Sequence, residues 1–397
     1  MALNTVSSDR LSTNVKNTNF TSAEKQDLTD DIKPLLGSSG GGVKNLIING
    51  AMEVAQRGTS STTAGYQTVD RFQSYFANTG VTITQSQQSL TSSDTPYTSG
   101  FRKFYRTALG SAGTANANAE VGIFQRLEAQ DIASSGWNYI SSSSNITLQF
   151  WFRCSTNQTF YCYLESQDGT GQSYPFSFTA TGNNTWTKIT KTFPGNSNLQ
   201  FDSDANYGLQ LAIIPFFGTD LTNNKTLDQW SAFSASNRLP DMASTWLTAG
   251  ASTFDLTGVQ LEVGSVATDF EHRSFGQELA LCQRYFFSIT GDNAAYPGCY
   301  TGGMARSGHF FWMCHFPVAM RTNPTYTGVS GNGQAYGDGD SSVFANSTAI
   351  LEGSSTTPNP RGQGMRKTSA GGSMSNGNGY MYRFSGDTNV LQFSAEL

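Results

Sequence analysis

Charge is scarce in this 397-residue chain: Asp, Glu, Lys and Arg make up 13 % of it, and the balance is −5, with an isoelectric point near 5.3. No basic cluster reverses that sign locally. Nucleic acid is therefore not expected as a partner, because phosphate binding needs a positive field. Long apolar runs are missing too. The longest, Leu209 to Phe217, is interrupted by Gln210 and Pro215 and reads as a buried strand, so no membrane insertion is expected. Met1-Ala2-Leu3-Asn4-Thr5 offers neither a basic start nor an apolar core, and no secretory signal is expected. Histidine is limited to three residues, and cysteine to five without a CxxC pair. Cys154 and Cys162 could face each other across a hairpin, but reduced, buried thiols are expected of a chain made in the cytoplasm. HExxH and P-loop patterns are absent, as is any fixed-period repeat.

What is present points to sheets. Hydrophobic residues reach 37 %, with Phe 27, Tyr 16 and Trp 6, and much of the rest is uncharged polar residues and Gly 41. Aromatics mixed with Ser, Thr, Asn and Gln suit pleated sheets with wet outer faces and Gly-rich turns. The chain is expected to be mainly β. Residues 1–42 differ from the rest. Thr21-Ser22-Ala23-Glu24 is a capping box, Leu28, Ile32 and Leu35 give one thin apolar stripe, and Gly37 stands where a helix would stop. So thin a stripe predicts a helical docking segment that rests on another chain, followed by a flexible Ser38-to-Gly42 joint.

From Val43 to about His272 the hydrophobic period is two. Ile146, Leu148, Phe150 and Phe152 share one face of a strand, and Phe160, Cys162 and Leu164 one face of the next. Gly182-Asn183-Asn184 predicts a turn into Trp186–Phe193, and Tyr207–Phe217 and Phe254–Val263 add further strands. Short links make these antiparallel and predict a two-sheet sandwich over 43–273. Ser274 caps a linking helix over 274–287, with Phe275, Leu279, Cys282 and Phe286 on one face. A small β-domain follows over 288–397. Its strand His309–Phe316 is apolar on both faces, Phe310, Trp312 and Phe316 against Phe311 and Met313, which predicts cover on both sides.

Four stretches in order resemble the tail fibres and related virion proteins of tailed bacteriophages, and they fall between residues 43 and 330. They are Asn45-Leu46-Ile47-Ile48-Asn49-Gly50-Ala51-Met52-Glu53 with Val69-Asp70-Arg71-Phe72; Leu256-Thr257-Gly258-Val259-Gln260-Leu261-Glu262 with Asp269-Phe270-Glu271-His272-Arg273; Glu278-Leu279-Ala280-Leu281-Cys282-Gln283-Arg284-Tyr285-Phe286; and Phe316-Pro317-Val318-Ala319-Met320-Arg321. The middle segment is similar to jelly-roll carbohydrate-binding modules, with Asn49-Gly50 and Met52-Glu53 as the opening strand and Val259-Gln260-Leu261 as the closing one. The resemblance implies a virion tail fibre that attaches to a host-surface glycan or receptor. It further implies a homotrimer that docks through residues 1–42 on a tail or capsid protein, made in the host cytoplasm and released by lysis. A capsid decoration or head fibre, and a glycan depolymerase, are the alternatives. Many such modules hold a structural calcium. Glu53 matches one acidic position, but Thr257 and Gly258 stand where acidic residues would be expected, so no cofactor is expected.

Sugar recognition needs aromatic faces and nearby amides or charged groups. Trp151, Tyr161 and Tyr163, on faces opposite the inferred core, are the candidates, with Arg153 or Gln149 beside them. The competing reading is that this face is covered by the chain itself or by another subunit. Loop tips around 292–300 and 331–342 are alternative contact surfaces. No catalytic residue is assigned. Asp168, Asp202 and Asp204 sit in turn-like sequence, and His309 and His315 would stand about 20 Å apart along a strand.

Overall fold

In a computed structural model the chain is described over residues 44–290 and, beyond these, over 301–306, 309–328, 332–337, 340–344, 350–351, 360–368, 379–385 and 390–397. The expected N-terminal helix, its joint, and the loop tip at 292–300 lie outside the described residues. The first part consists of β1 (Ser60–Ser61), β2 (Gln73–Ala77), β3 (Ile83–Ser89), β4 (Lys103–Leu109), β5 (Glu120–Glu128) and β6 (Asn145–Cys154), followed by β7 (Asn157–Ser166), β8 (Gln172–Thr181), β9 (Thr187–Pro194), β10 (Tyr207–Phe217), β11 (Ser231–Ala232) and β12 (Thr253–Val263). They form two six-stranded sheets, ordered β1-β3-β4-β12-β6-β9 and β11-β8-β7-β10-β5-β2. All of these pairings are antiparallel. The chain crosses between sheets at β1–β2, β2–β3, β4–β5, β5–β6, β6–β7, β8–β9, β9–β10 and β11–β12 and stays within one sheet only at β3–β4, β7–β8 and β10–β11, which makes the sandwich a jelly roll.

Alternation explains the packing. Ile146, Leu148, Phe150 and Phe152 of β6 and Phe160, Cys162 and Leu164 of β7 all point into one core and are fully buried. Phe152 and Phe254 both meet rings across the sandwich, at 4.8 Å from Phe178 and 5.1 Å from Phe160 respectively, edge-on as ring quadrupoles prefer. Each such ring withdrawn from water contributes roughly 1.5–3 kcal/mol. Cys154 and Cys162 are buried free thiols, as are Cys282 and Cys314.

The predicted opening strand forms turns instead, but its pairing role holds. The Leu46 N–H donates to the Leu261 carbonyl at 2.9 Å and the Val259 N–H to the Gly50 carbonyl at 3.0 Å. Asn45 adds its own amide: Oδ1 accepts from Leu261 N–H (3.0 Å) and Nδ2 donates to the Val259 carbonyl (3.1 Å). The linking helix is Phe275–Gln283, with the expected capping box between Ser274 and Gln277. Its buried face matches the predicted one in part: Cys282 and Phe286 are buried as expected and Glu278 is buried with them, whereas Phe275 is 59 % exposed. Glu278 turns in because its carboxylate accepts from the Asn49 N–H and faces Arg273.

The remaining strands are β13 (Phe286–Thr290), β14 (Thr301–Arg306), β15 (His309–His315), β16 (Thr325–Gly328), β17 (Asn332–Gly337), β18 (Asp340–Phe344), β19 (Ile350–Leu351), β20 (Gly362–Thr368), β21 (Gly379–Ser385) and β22 (Val390–Ser394). They build a three-stranded sheet, β13-β22-β16, and a seven-stranded one, β18-β17-β21-β14-β15-β20-β19. On β15 the Trp312 and Cys314 side is buried, while on the other side Phe311 is half-buried and Met313 is 48 % exposed. The last residues run back to the sandwich. The Ala395 N–H donates to the Tyr285 carbonyl at 2.7 Å, and Glu396 pairs with the buried guanidinium of Arg71.

Candidate functional site

The five residues singled out for sugar contact divide between the two sheets. Gln149, Trp151 and Arg153 lie on β6, in the first sheet, and the chain itself covers them. Gln149 Nε2 donates to the Thr268 carbonyl at 2.6 Å. Trp151 packs beside Phe101, Phe104 and Trp186. Arg153 donates to Asp255 and Asp94, each at 2.7 Å, and lies 4.7 Å from the Trp186 ring centre. Asp255, fully buried, is also held by Arg106 at 2.7 and 2.8 Å. Gly258 explains the missing acidic residue: β12 bulges there, and a Cβ would stand 2.7 Å from Phe101 and 3.1 Å from Trp151. Glu53 has Lys103, Arg102 and His272 as its charged neighbours, and burial raises its pKa. Among the described residues no three His, Cys, Asp or Glu side chains converge on a metal position.

Tyr161 and Tyr163 lie on β7, in the second sheet, and there the outer face opens into a cleft of about 460 Å³, within the range of ligand sites. Register builds it. Arg126, Gln210 and Glu165 lie abreast on β5, β10 and β7. Beside them run Gln73, Phe124, Ala212 and Tyr163 on β2, β5, β10 and β7. Gly122, opposite Tyr75, keeps the floor low: a Cβ there would meet the Phe124 ring at 2.4 Å. Tyr75, Tyr207 and Phe233 stand at the rim, with Gln167 and Arg238 among the lining groups. The segment after β10 covers the neighbouring part of the face, where Leu239 and Met242 pack on Tyr163, Ile214 and Phe217.

The row of polar groups is ordered by its own hydrogen bonds. Arg126 Nε donates to Gln210 Oε1 at 3.1 Å, and Gln210 Nε2 donates to Glu165 Oε2 at 3.2 Å. Gln167 donates to the other Glu165 oxygen. The Arg126 guanidinium lies 5.1 Å from the Tyr207 ring centre and Arg238 lies 5.8 Å from that of Phe233. Burial pushes the Glu165 carboxyl up to about 7, against the opposing pull of Arg238 and Arg126, and burial likewise raises Glu120 and Tyr163. Donors and acceptors therefore alternate along the cleft between aromatic walls.

No protein-family model matches the sequence, and no curated protein matches it. Several solved structures align with about half of the chain. A tailspike protein 4 enzymatically active domain of bacteriophage CBA120 aligns at 8 % identity and TM-score 0.29, over 55 % of this chain and 21 % of that one. The N-terminal cellulose-binding domain of Cellulomonas fimi β-1,4-glucanase C aligns at 15 % and 0.26, over 54 % and 99 %. A family 11 carbohydrate-binding module from Clostridium thermocellum, in complex with a mixed-linked tetrasaccharide, aligns at 10 % and 0.26, over 53 % and 98 %.

Two carboxylates line the cleft, and they lie apart. Glu165 is abreast of Arg126, whereas Glu120 is six positions further along β5, roughly 20 Å by strand rise. Glycoside-cleaving pairs stand about 5–9.5 Å apart. Of the residues lining this cleft, the sequence pattern pointed to Tyr163. Gln73, Phe124 and Arg126 lie on strands that the sequence pattern did not single out, and Gln210 on one read as a buried run; nothing local says which strands stand side by side.

Proposed function

We propose that the chain is a virion fibre component of a tailed phage and that its sandwich binds a host-surface glycan, without covalent chemistry, in the cleft across β2, β5, β10 and β7. The observation carrying this reading is the row Arg126–Gln210–Glu165, a line of donors and acceptors framed by Tyr75, Tyr207 and Phe233. Sugar hydroxyls each donate and accept, and pyranose C–H faces rest on aromatic rings, so such a row fits a saccharide better than a purely apolar ligand. The fibre role rests on the sequence resemblance. Weak contacts at single clefts would add up through a homotrimer and through several fibres engaging one cell.

The enzyme reading is favoured by one observation: a cleft carboxyl held near neutrality suits a general acid. The distance to Glu120 argues against a hydrolytic pair. Applying the protein to an array of bacterial lipopolysaccharides, capsules and wall glycans tests the binder. Retention by the wild type with loss in Glu165→Ala and Tyr75→Ala is expected, and no retention anywhere sinks the proposal. New reducing ends in the same incubations would identify a depolymerase instead. Solution mass tests the trimer, and pull-down of virion proteins with and without residues 1–42 tests the docking segment.

A further inference from the structure

Arg126 belongs to two structures at once. Its Nε lies in the cleft row, donating to Gln210, while one Nη donates to the Leu397 carbonyl at 2.7 Å. Its own carbonyl accepts from Arg71 Nη2 at 2.6 Å. Arg71, fully buried, pairs with Glu396 and lies 3.4 Å from the Tyr285 ring centre. Tyr66 donates its hydroxyl to the Leu397 carbonyl at 3.2 Å, and Arg321 forks onto the Ala395 and Glu396 carbonyls at 2.7 and 3.1 Å. These three residues follow directly from β22, the central strand between β13 and β16.

We propose that residues 395–397 are a strap that positions Arg126, so that glycan binding in the cleft and seating of the C-terminal sheets are coupled. The inference rests on the cleft being the glycan site. Arg126 carries a long, rotatable side chain, and a guanidinium fixed at two points presents its remaining donors in one orientation, saving the ordering cost of binding. Seating the strap places the Glu396 carboxylate on the buried Arg71. Lifting it would leave the Arg71 charge buried without its carboxylate, which favours all-or-none seating over gradual fraying. Because coupling between two sites is reciprocal, an occupied cleft must hold the strap down by the same factor by which a seated strap tightens the cleft. Tyr66 and Arg321 are positioning residues on this account, since neither lines the cleft.

The test uses the full chain and an oligosaccharide fragment of whichever polysaccharide the wild type retains most strongly on the array. Tyr66→Phe removes one bond to the strap, and Arg321→Lys removes the fork. Each should weaken oligosaccharide binding about five- to tenfold, at the lower end of typical coupling. In the wild type, saturating oligosaccharide should slow hydrogen exchange at the Ala395 amide and at Leu391 to Phe393 by a similar factor. Arg102→Lys, whose guanidinium stacks on Tyr97 away from the cleft lining, should change neither. Unaltered affinity in both strap variants, or exchange at Ala395 unmoved by saturation, overturns the coupling while leaving the cleft as a glycan site. If Arg321→Lys fails to fold, Tyr66→Phe decides alone. A wild type that retains no glycan overturns the cleft reading and the coupling together.

Discussion

Glu165→Gln isolates the energetic consequence of placing a carboxyl in the cleft. The group's proton affinity rises from its ordinary 4.5 to about 7, chiefly through burial. Each tenfold step is worth about 1.4 kcal/mol, so ionising Glu165 in the folded chain costs roughly 3 kcal/mol more than in the unfolded chain. The sign follows from proton counting. Between pH 4.5 and 7 the folded chain keeps a proton that the unfolded chain has lost, so this group makes stability fall as pH rises through that window, and the loss is complete above pH 7. Glutamine does not titrate. It disturbs the bonds from Gln167 and Gln210, a cost of about 1 kcal/mol that is the same at every pH. Urea unfolding of both proteins from pH 4 to 8.5, followed by sandwich tryptophan fluorescence, therefore has a defined outcome. The variant should start slightly less stable at pH 4 and end more stable at pH 8.5, with a relative change of roughly 3 kcal/mol. Two curves that stay parallel across the range would refute the reasoning. Oligosaccharide affinity should fall in the same variant, since the amide puts a donor group where one of the carboxyl oxygens accepts from Gln167 or Gln210.

Three further outcomes are expected. Tyr75→Ala, at a rim position 40 % exposed, should leave stability within about 0.5 kcal/mol, while calorimetric titration shows oligosaccharide affinity reduced several-fold. Asp255→Asn removes the buried carboxylate between Arg106 and Arg153, which should lower unfolding stability by about 3 kcal/mol in urea titration without moving cleft affinity. Gly50→Ala puts a methyl group 2.0 Å from the Val259 carbonyl, and thermal unfolding should show a loss of about 3 kcal/mol or failure to fold.

The strands were legible because a sheet with one face in the core writes its pattern every second residue. Ile146 to Phe152 and Phe160 to Leu164 point where alternation places them. The cleft was not legible for the complementary reason. It joins Gln73, Arg126, Glu165 and Arg238, and their nearness depends on strand order, which alternation does not encode. Trp151 and Arg153 point outward from their sheet but not to solvent: Phe101 and Trp186 pack against them and Asp255, beside Arg153 on β12, takes its charge, which is the cover by the chain that was weighed against sugar contact. The linking helix was legible in its cap and in Cys282 and Phe286, but not in Glu278, which is polar by type and turns inward to accept from the Asn49 amide, nor in Phe275, which stays exposed.

Asn45 and Leu261 are joined across 216 residues of chain. During synthesis at roughly 5–20 residues per second, the amide of Asn45 must therefore wait on the order of 10–40 s for its partner to leave the ribosome. Until then the first sheet lacks β12, its inner strand between β4 and β6, and the unpaired edges of those two strands are open to neighbouring nascent chains. Such long-range closure also makes folding slow. The sandwich is thus a late-maturing unit, whose assembly is exposed to error while neighbouring chains are still being made.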